Sequence, residues 1–187
     1  KGVIAANILD GQHIHHIIVD DYIHTVGDNA FSNCANLQDV ILSDTIAVFG
    51  NNCFLNDNSI TVNIHKVDGL IDNNVYQEKL SGVGTVNASN TNIGDYAFNK
   101  NPSLKNVNVD GNSNIGMYAF ADNVGLKYVT INGETDIGDY AFYKCKGIVS
   151  FVIPETLTHI GNYAFRGCEG ITSVIIPTTV ETIGKHA

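Results

Sequence analysis

The chain has no tryptophan, one methionine, three prolines and only four cysteines. Four cysteines in 187 residues are too few for a small scaffold stapled by disulfides. No stretch approaches the roughly 18 consecutive apolar residues of a membrane-spanning helix, so direct membrane insertion is not expected. Positive charge is scarce: 10 Lys and Arg stand against 19 Asp and Glu, a net charge of −9. A nucleic-acid partner needs a basic surface to neutralise phosphate, and an anionic membrane repels such a chain, so neither is expected. Charged residues of both signs make up only 16%. Lys1-Gly2-Val3 has no initiator Met before it and no signal-peptide pattern, so the sequence reads as a mature product or a piece of a longer protein.

What is plentiful is glycine, 18 residues, and asparagine, in a chain that is 44% hydrophobic. That mixture favours short strands and tight turns over long helices. The sequence is also periodic. IGDYAFYKCKGIVSFVIPETLTH over 137–159 is followed by IGNYAFRGCEGITSVIIPTTVET over 160–182, and IGKHA begins another copy. The aromatic recurs as Phe31, Phe54, Tyr76, Phe98, Phe120, Phe142 and Phe165, every 22 or 23 residues, with Leu9 as a faded first member. A fixed period of this length means stacked units, none of which buries its apolar face alone.

Each column has a physical role. Val26, Ile71, Ile93, Ile115, Ile137, Ile160 and Ile183 are apolar and expected inside. The glycine that follows in most copies suggests positive φ or a close backbone approach. A small residue, usually Ala, precedes the aromatic at a tight corner. Further on, Val40, Val107, Val129, Phe151 and Val174 alternate with Leu42, Val109, Ile131, Ile153 and Ile176 about outward residues, the period of a half-buried strand. Pro154 and Pro177 follow it, where the ladder has ended. With strands about 4.8 Å apart, eight coils make a rod on the order of 40 Å long.

The string I-G-x-x-A-F-x-x-C-x-x-L-x-x-V-x-I-P, recurring in register, resembles the BspA-like (Treponema-type) leucine-rich repeats. The expected fold is a repeat solenoid, a leucine-rich-repeat-type array of about eight coils over 1–187. Each coil has one parallel strand and a short helical or 3-10 turn on the other side. Coils at 1–25 and 57–92 read as irregular, since they lose the Leu–Val–Ile signature, and a bend or loop is expected over 66–91.

Few residues suggest chemistry. Cys34, Cys145 and Cys168 share a column with Asn101, Asn123 and Asp57, which points to small groups bonding to backbone inside the coil. Cys145 and Cys168 lie on adjacent coils, close enough in principle for a disulfide. No C-x₂-C pair marks a zinc site. His13 and His15 would share one face of a strand and could hold a transition metal, or simply face solvent. Asp28, Asp95 and Asp139, with Asn51, Asn73 and Asn162, recur after the glycine and read as caps on a helical turn. Gly82-Val83-Gly84 lacks the rest of a dinucleotide loop. Asn87-Ala88-Ser89 is a glycosylation sequon in a stretch that reads as a loop. No cofactor is expected.

Two surfaces are candidates for binding. Tyr96, Tyr118, Tyr140 and Tyr163 form an aromatic ladder that could stack sugars or protein side chains, or pack against itself. The outward strand positions Asp39, Asn106, Tyr128, Ser150 and Ser173, with Ile41, Asn108, Thr130, Val152 and Ile175, form the other. The resemblance implies partner binding on this sheet face, and proteins of the surfaces of bacteria or parasitic protists, often linked to adhesion. The leading expectation is a non-enzymatic recognition or adhesion module, extracellular or on the cell surface, binding host, matrix or partner proteins or glycans. The alternative is a spacer or self-assembling rod with end-to-end association. An enzyme is the third reading, with Asp68, Asp72 and Glu78 in the irregular coil as its only acids with room around them.

Overall fold

A computed structural model describes residues 2–57, 59–65 and 69–187. Its strands, in chain order, are β1 (Gly2–Ile4), β2 (His16–Ile18), β3 (Ile23–Val26), β4 (Asp39–Ser43), β5 (Val48–Phe49), β6 (Ile60–His65), β7 (Leu70–Ile71), β8 (Val83–Ser89), β9 (Asn92–Ile93), β10 (Asn106–Asp110), β11 (Tyr128–Asn132), β12 (Ser150–Phe151), β13 (His159–Ile160) and β14 (Thr182–Ile183). Seven form one parallel sheet in the order β12-β11-β10-β8-β6-β4-β2. The alternating sequence produces its two faces. Val40, Val62, Val86, Val107, Val129 and Phe151 fall in register and point inward, as do Leu42, Ile64, Ala88, Val109 and Ile131.

A second line of short strands runs along the I-G column, which the repeat pattern alone does not separate from the turns. It consists of β1-β3-β5, β7-β9 and β13-β14, linked by single bridges Ile93–Ile115–Ile137–Ile160. The two lines wrap one core. Its spine is the aromatic column: rings of Tyr76, Phe98, Phe120, Phe142 and Phe165 follow one another at 5.1–5.4 Å between centroids. Phe98, Phe120 and Phe142 are wholly buried. Burying one such side chain stabilises by roughly 1.5–3 kcal/mol, before stacking is counted.

The expected helical turns are not seen: no described residue is helical. Two residues in most coils take positive φ, for example Tyr118 (54°) and Asp122 (58°), and a right-handed helix cannot continue through either. These residues, not the glycine column, carry the left-handed conformations. Gly116 is required by close approach instead: a Cβ there would lie 2.7 Å from the carbonyl oxygen of Ile93 on the preceding coil. The acids and amides after the glycine do not cap their own turn. Asp95 Oδ1 accepts the backbone N–H of Met117 at 2.7 Å, and Asp139 Oδ1 that of Asn162 at 2.6 Å, so each ties its coil to the next.

Two further expectations change. Coils over 57–92 hold the longest strands, β6 and β8, because ITVNIH and VGTVNAS alternate without the family's leucine. Residues 66–68, where a bend is expected to begin, lie outside the described residues, Asp68 with them. In the last coil, 173–176 is not a strand; Val174 and Ile176, expected inside, are 48% and 49% exposed. The sheet ends at β12, and 173–175 borders a cleft of about 460 Å³ beside it.

Candidate functional site

The sheet face is built by register. One outward column runs Asp39, Thr61, Thr85, Asn106, Tyr128, Ser150, and the next runs Ile41, Asn63, Asn87, Asn108, Thr130. Thr61, Asn63, Thr85 and Asn87 fall outside the repeat pattern because their coils lack the family leucine; the alternation of ITVNIH is the signal that finds them. The amides bond along the rod. Asn108 Nδ2 donates to Asn87 Oδ1, and Asn87 Nδ2 to Asn63 Oδ1, both at 2.7 Å, while Asn106 Nδ2 donates to Thr85 Oγ1 at 3.0 Å. Such a ladder fixes rotamers in advance, which lowers the ordering cost of any contact made there. The sequon asparagine Asn87 is therefore a mid-sheet strand residue, not a loop residue. Tyr128 (56% exposed) projects from the face; Val152, Ser173 and Ile175 are exposed beside it, outside any strand.

The tyrosine ladder is unusual in conformation. Tyr96, Tyr118, Tyr140 and Tyr163 all have φ of 54–57°, a region where a bulky side chain is disfavoured. Asn29, Asn52 and Asn74 take the same conformation earlier in the rod, where asparagine tolerates it. Stacking offsets the strain: centroids lie 4.5–4.9 Å apart with planes within 10°, and His186 stacks on Tyr163 at 5.0 Å. The facing rings thus cover one another, and between them only edges and hydroxyls are left for a ligand. Arg166 lies over the Tyr163 ring at 5.3 Å. Burial among its neighbours holds the Tyr118 phenol above the usual range.

The cysteine column is a backbone-bonding device. Asn123 Nδ2 donates to the carbonyls of Phe98 and Phe120 at 3.0 and 2.6 Å. Cys145 Sγ donates to Phe120 O at 3.0 Å and Cys168 Sγ to Phe142 O at 3.2 Å. All four cysteines are free, and burial pushes the Cys168 thiol up to about 12, so neither of the adjacent pair is a ready nucleophile. Asp57 breaks the pattern. Its Oδ1 accepts the N–H of Cys34 at 2.8 Å, but its buried Oδ2 has no partner among the described residues, and burial raises its carboxyl to about 6.

His13 and His15 are not in a strand and are exposed; His16 is the first strand residue and pairs with Asp39 at 2.9 Å. Glu78 pairs at the surface with Lys100 at 3.0 Å, and Asp72 is exposed after β7.

A comparison with curated proteins finds no match. Among solved structures, a leucine-rich repeat protein from Bacteroides ovatus is similar in fold, with a TM-score of 0.54 at 18% identity over 98% of this chain and 45% of that one. The pneumococcal vaccine antigen PcpA matches at 18% identity over 95% of this chain and 54% of its own, with a TM-score of 0.45. A leucine rich cell surface protein from Faecalibacterium prausnitzii matches at 19% identity over 87% and 47%, with a TM-score of 0.36. The chain therefore spans about half the length of these proteins. The family model for the BspA type leucine rich repeat region matches in six copies over residues 3–127 and 69–187. Its period, its parallel coils and this match together place the chain in the BspA-type leucine-rich repeat family.

Proposed function

We propose that this chain is a non-enzymatic recognition or adhesion segment of a cell-surface or secreted protein, and that its sheet face receives a protein partner. One observation carries the reading. From Thr61 to Ser150, the two outward columns hold only hydroxyl, amide and phenol groups, without a formal charge, on a molecule of net charge −9. Covering such a face desolvates no ion, and its amides from Asn63 to Asn108 are already held by one another. Family membership and the surface setting that the resemblance implies support the same reading.

The test uses Tyr128→Ala and Thr130→Lys together. Both residues are exposed, and neither side chain has a hydrogen-bond partner among the described residues. The unaltered chain is expected to retain at least one protein from a panel of collagens, fibronectin and laminin, and the double variant to lose it. A folded chain that retains none of them defeats the proposal.

A further inference from the structure

A groove of about 570 Å³ follows the corner where the chain leaves the main sheet for the second strand line. It lies apart from both the strand columns and the tyrosine ladder. One wall is a polar ladder along the rod. Asn92 Oδ1 accepts the N–H of Asn114 at 2.9 Å, and Asn114 Oδ1 accepts the N–H of Asp136 at 3.3 Å. Asp136 Oδ1 in turn accepts from the Thr158 hydroxyl at 3.3 Å and lies 3.3 Å from His159 Nδ1.

The ladder engages the amide oxygens and leaves the amide nitrogens of Asn92 and Asn114 without partners among the described residues. Beside them, Asn112 and Glu134 are exposed, and neither side chain has a partner among the described residues. Thr135 also borders the groove. It is 3% exposed, and its Oγ1 has no partner among the described residues. Ser113, its counterpart one coil earlier, accepts from Thr91 N at 3.0 Å and donates to Asp110 O at 3.1 Å. The hydroxyl of Thr135 is therefore the one in this column that the fold leaves unsatisfied.

We infer that this groove binds a neutral oligosaccharide. A sugar hydroxyl both donates and accepts, so it can take a hydrogen bond from an Asn Nδ2 and give one to the Glu134 or Asp136 carboxylate alongside. A metal cation can use only oxygens. Here the amide oxygens of Asn92 and Asn114 are already bonded to backbone, and no set of three His, Cys, Asp or Glu side chains converges among the described residues. Two carboxylates in the groove repel sialylated, sulfated and uronic-acid sugars. The same kinds of group return at each coil, about 4.8 Å further along, so a linear sugar chain lying along the rod meets them repeatedly. The inference rests on the recognition reading but uses a different surface and ligand class.

The experiment screens the chain on an array of neutral, sialylated and sulfated oligosaccharides, then titrates the best neutral hexasaccharide by calorimetry. The variants are Asn112→Ala and Glu134→Ala, whose side chains hold nothing else in place, with thermal unfolding as the check of folding. Binding confined to neutral glycans and weakened about tenfold or more by each variant is expected. The sheet-face double variant should bind sugar as the unaltered chain does, so loss of protein partners and loss of sugar separate the two proposals. Three results overturn the inference: no neutral glycan bound, a preference for sulfated or sialylated chains, or binding unchanged in both groove variants. Calcium chloride shifting the amide resonances of Glu134 and Asp136 in the absence of sugar also overturns it, in favour of a cation site.

Discussion

A single buried column shows how side-chain identity is set by one backbone carbonyl. Asn101, Asn123, Cys145 and Cys168 each give a hydrogen to the carbonyl of the aromatic residue on the coil before. Cys145→Asn should therefore leave the thermal midpoint nearly unchanged. Cys145→Val, similar in size, removes one of the two hydrogen bonds to the Phe120 carbonyl and leaves the one from Asn123, so it should cost about 0.5–1.5 kcal/mol in urea unfolding. Asp57 cannot donate from this position unless it is protonated, and its surroundings favour that form: burial and the nearby Asp10 raise its carboxyl from 3.8 to about 6. The sign follows. The neutral acid is the form the fold prefers, so the contribution to stability is complete below the ordinary value and lost as pH rises through about 6. Asp57→Asn should abolish that slope and stabilise the chain at pH 7 by roughly 1–2 kcal/mol, a figure reduced for partial solvent access. Urea midpoints measured from pH 4 to 8 on both proteins decide it, and equal slopes would refute the assignment.

At the level of the coil, the chain behaves as a repeating unit joined to its neighbours by register. Deleting residues 99–120 joins Phe98 to Ala121 in phase, because Phe120 occupies the same column. The shortened chain should fold and unfold cooperatively, as arrays governed by nearest-neighbour contacts do. Deleting 110–120 puts strand residues where turn residues belong, and should leave no cooperative transition by circular dichroism. The buried columns are legible in the amino-acid sequence because burial repeats itself there: Phe, Ala, Ile and Gly return at the same phase. Features without such repetition are not legible. Thr61 and Asn87 face outward on coils lacking the family leucine, so the repeat pattern does not mark their strands. The left-handed positions are hidden because Asn, Tyr, Lys, Asp and Glu all occupy them, and no composition marks them. The groove at Asn112 and Glu134 has no sequence signature for a related reason: its walls come from consecutive coils, and no one stretch of sequence contains them.

At the scale of these 187 residues taken alone, stability is expected to be graded along the axis. Interior coils are covered on both sides, whereas Val3 and Ile8 in the first coil and Ile183 in the last are more than half exposed, and Ile176 is 49% exposed. Amide exchange should be slowest in β6, β8 and β10 and fastest in β1 and β14, with intermediate rates between. Uniform protection from end to end would mean that the coils do not open separately.

That the bonds between coils run parallel to the long axis has a mechanical meaning. Tension applied to the two ends loads those bonds one layer at a time, as in a zipper, so the weakest outer layer yields first and the remainder stays intact. Each such event frees some 22 residues, about 75 Å of extended chain, and a tether of this kind lengthens in steps under shear instead of snapping.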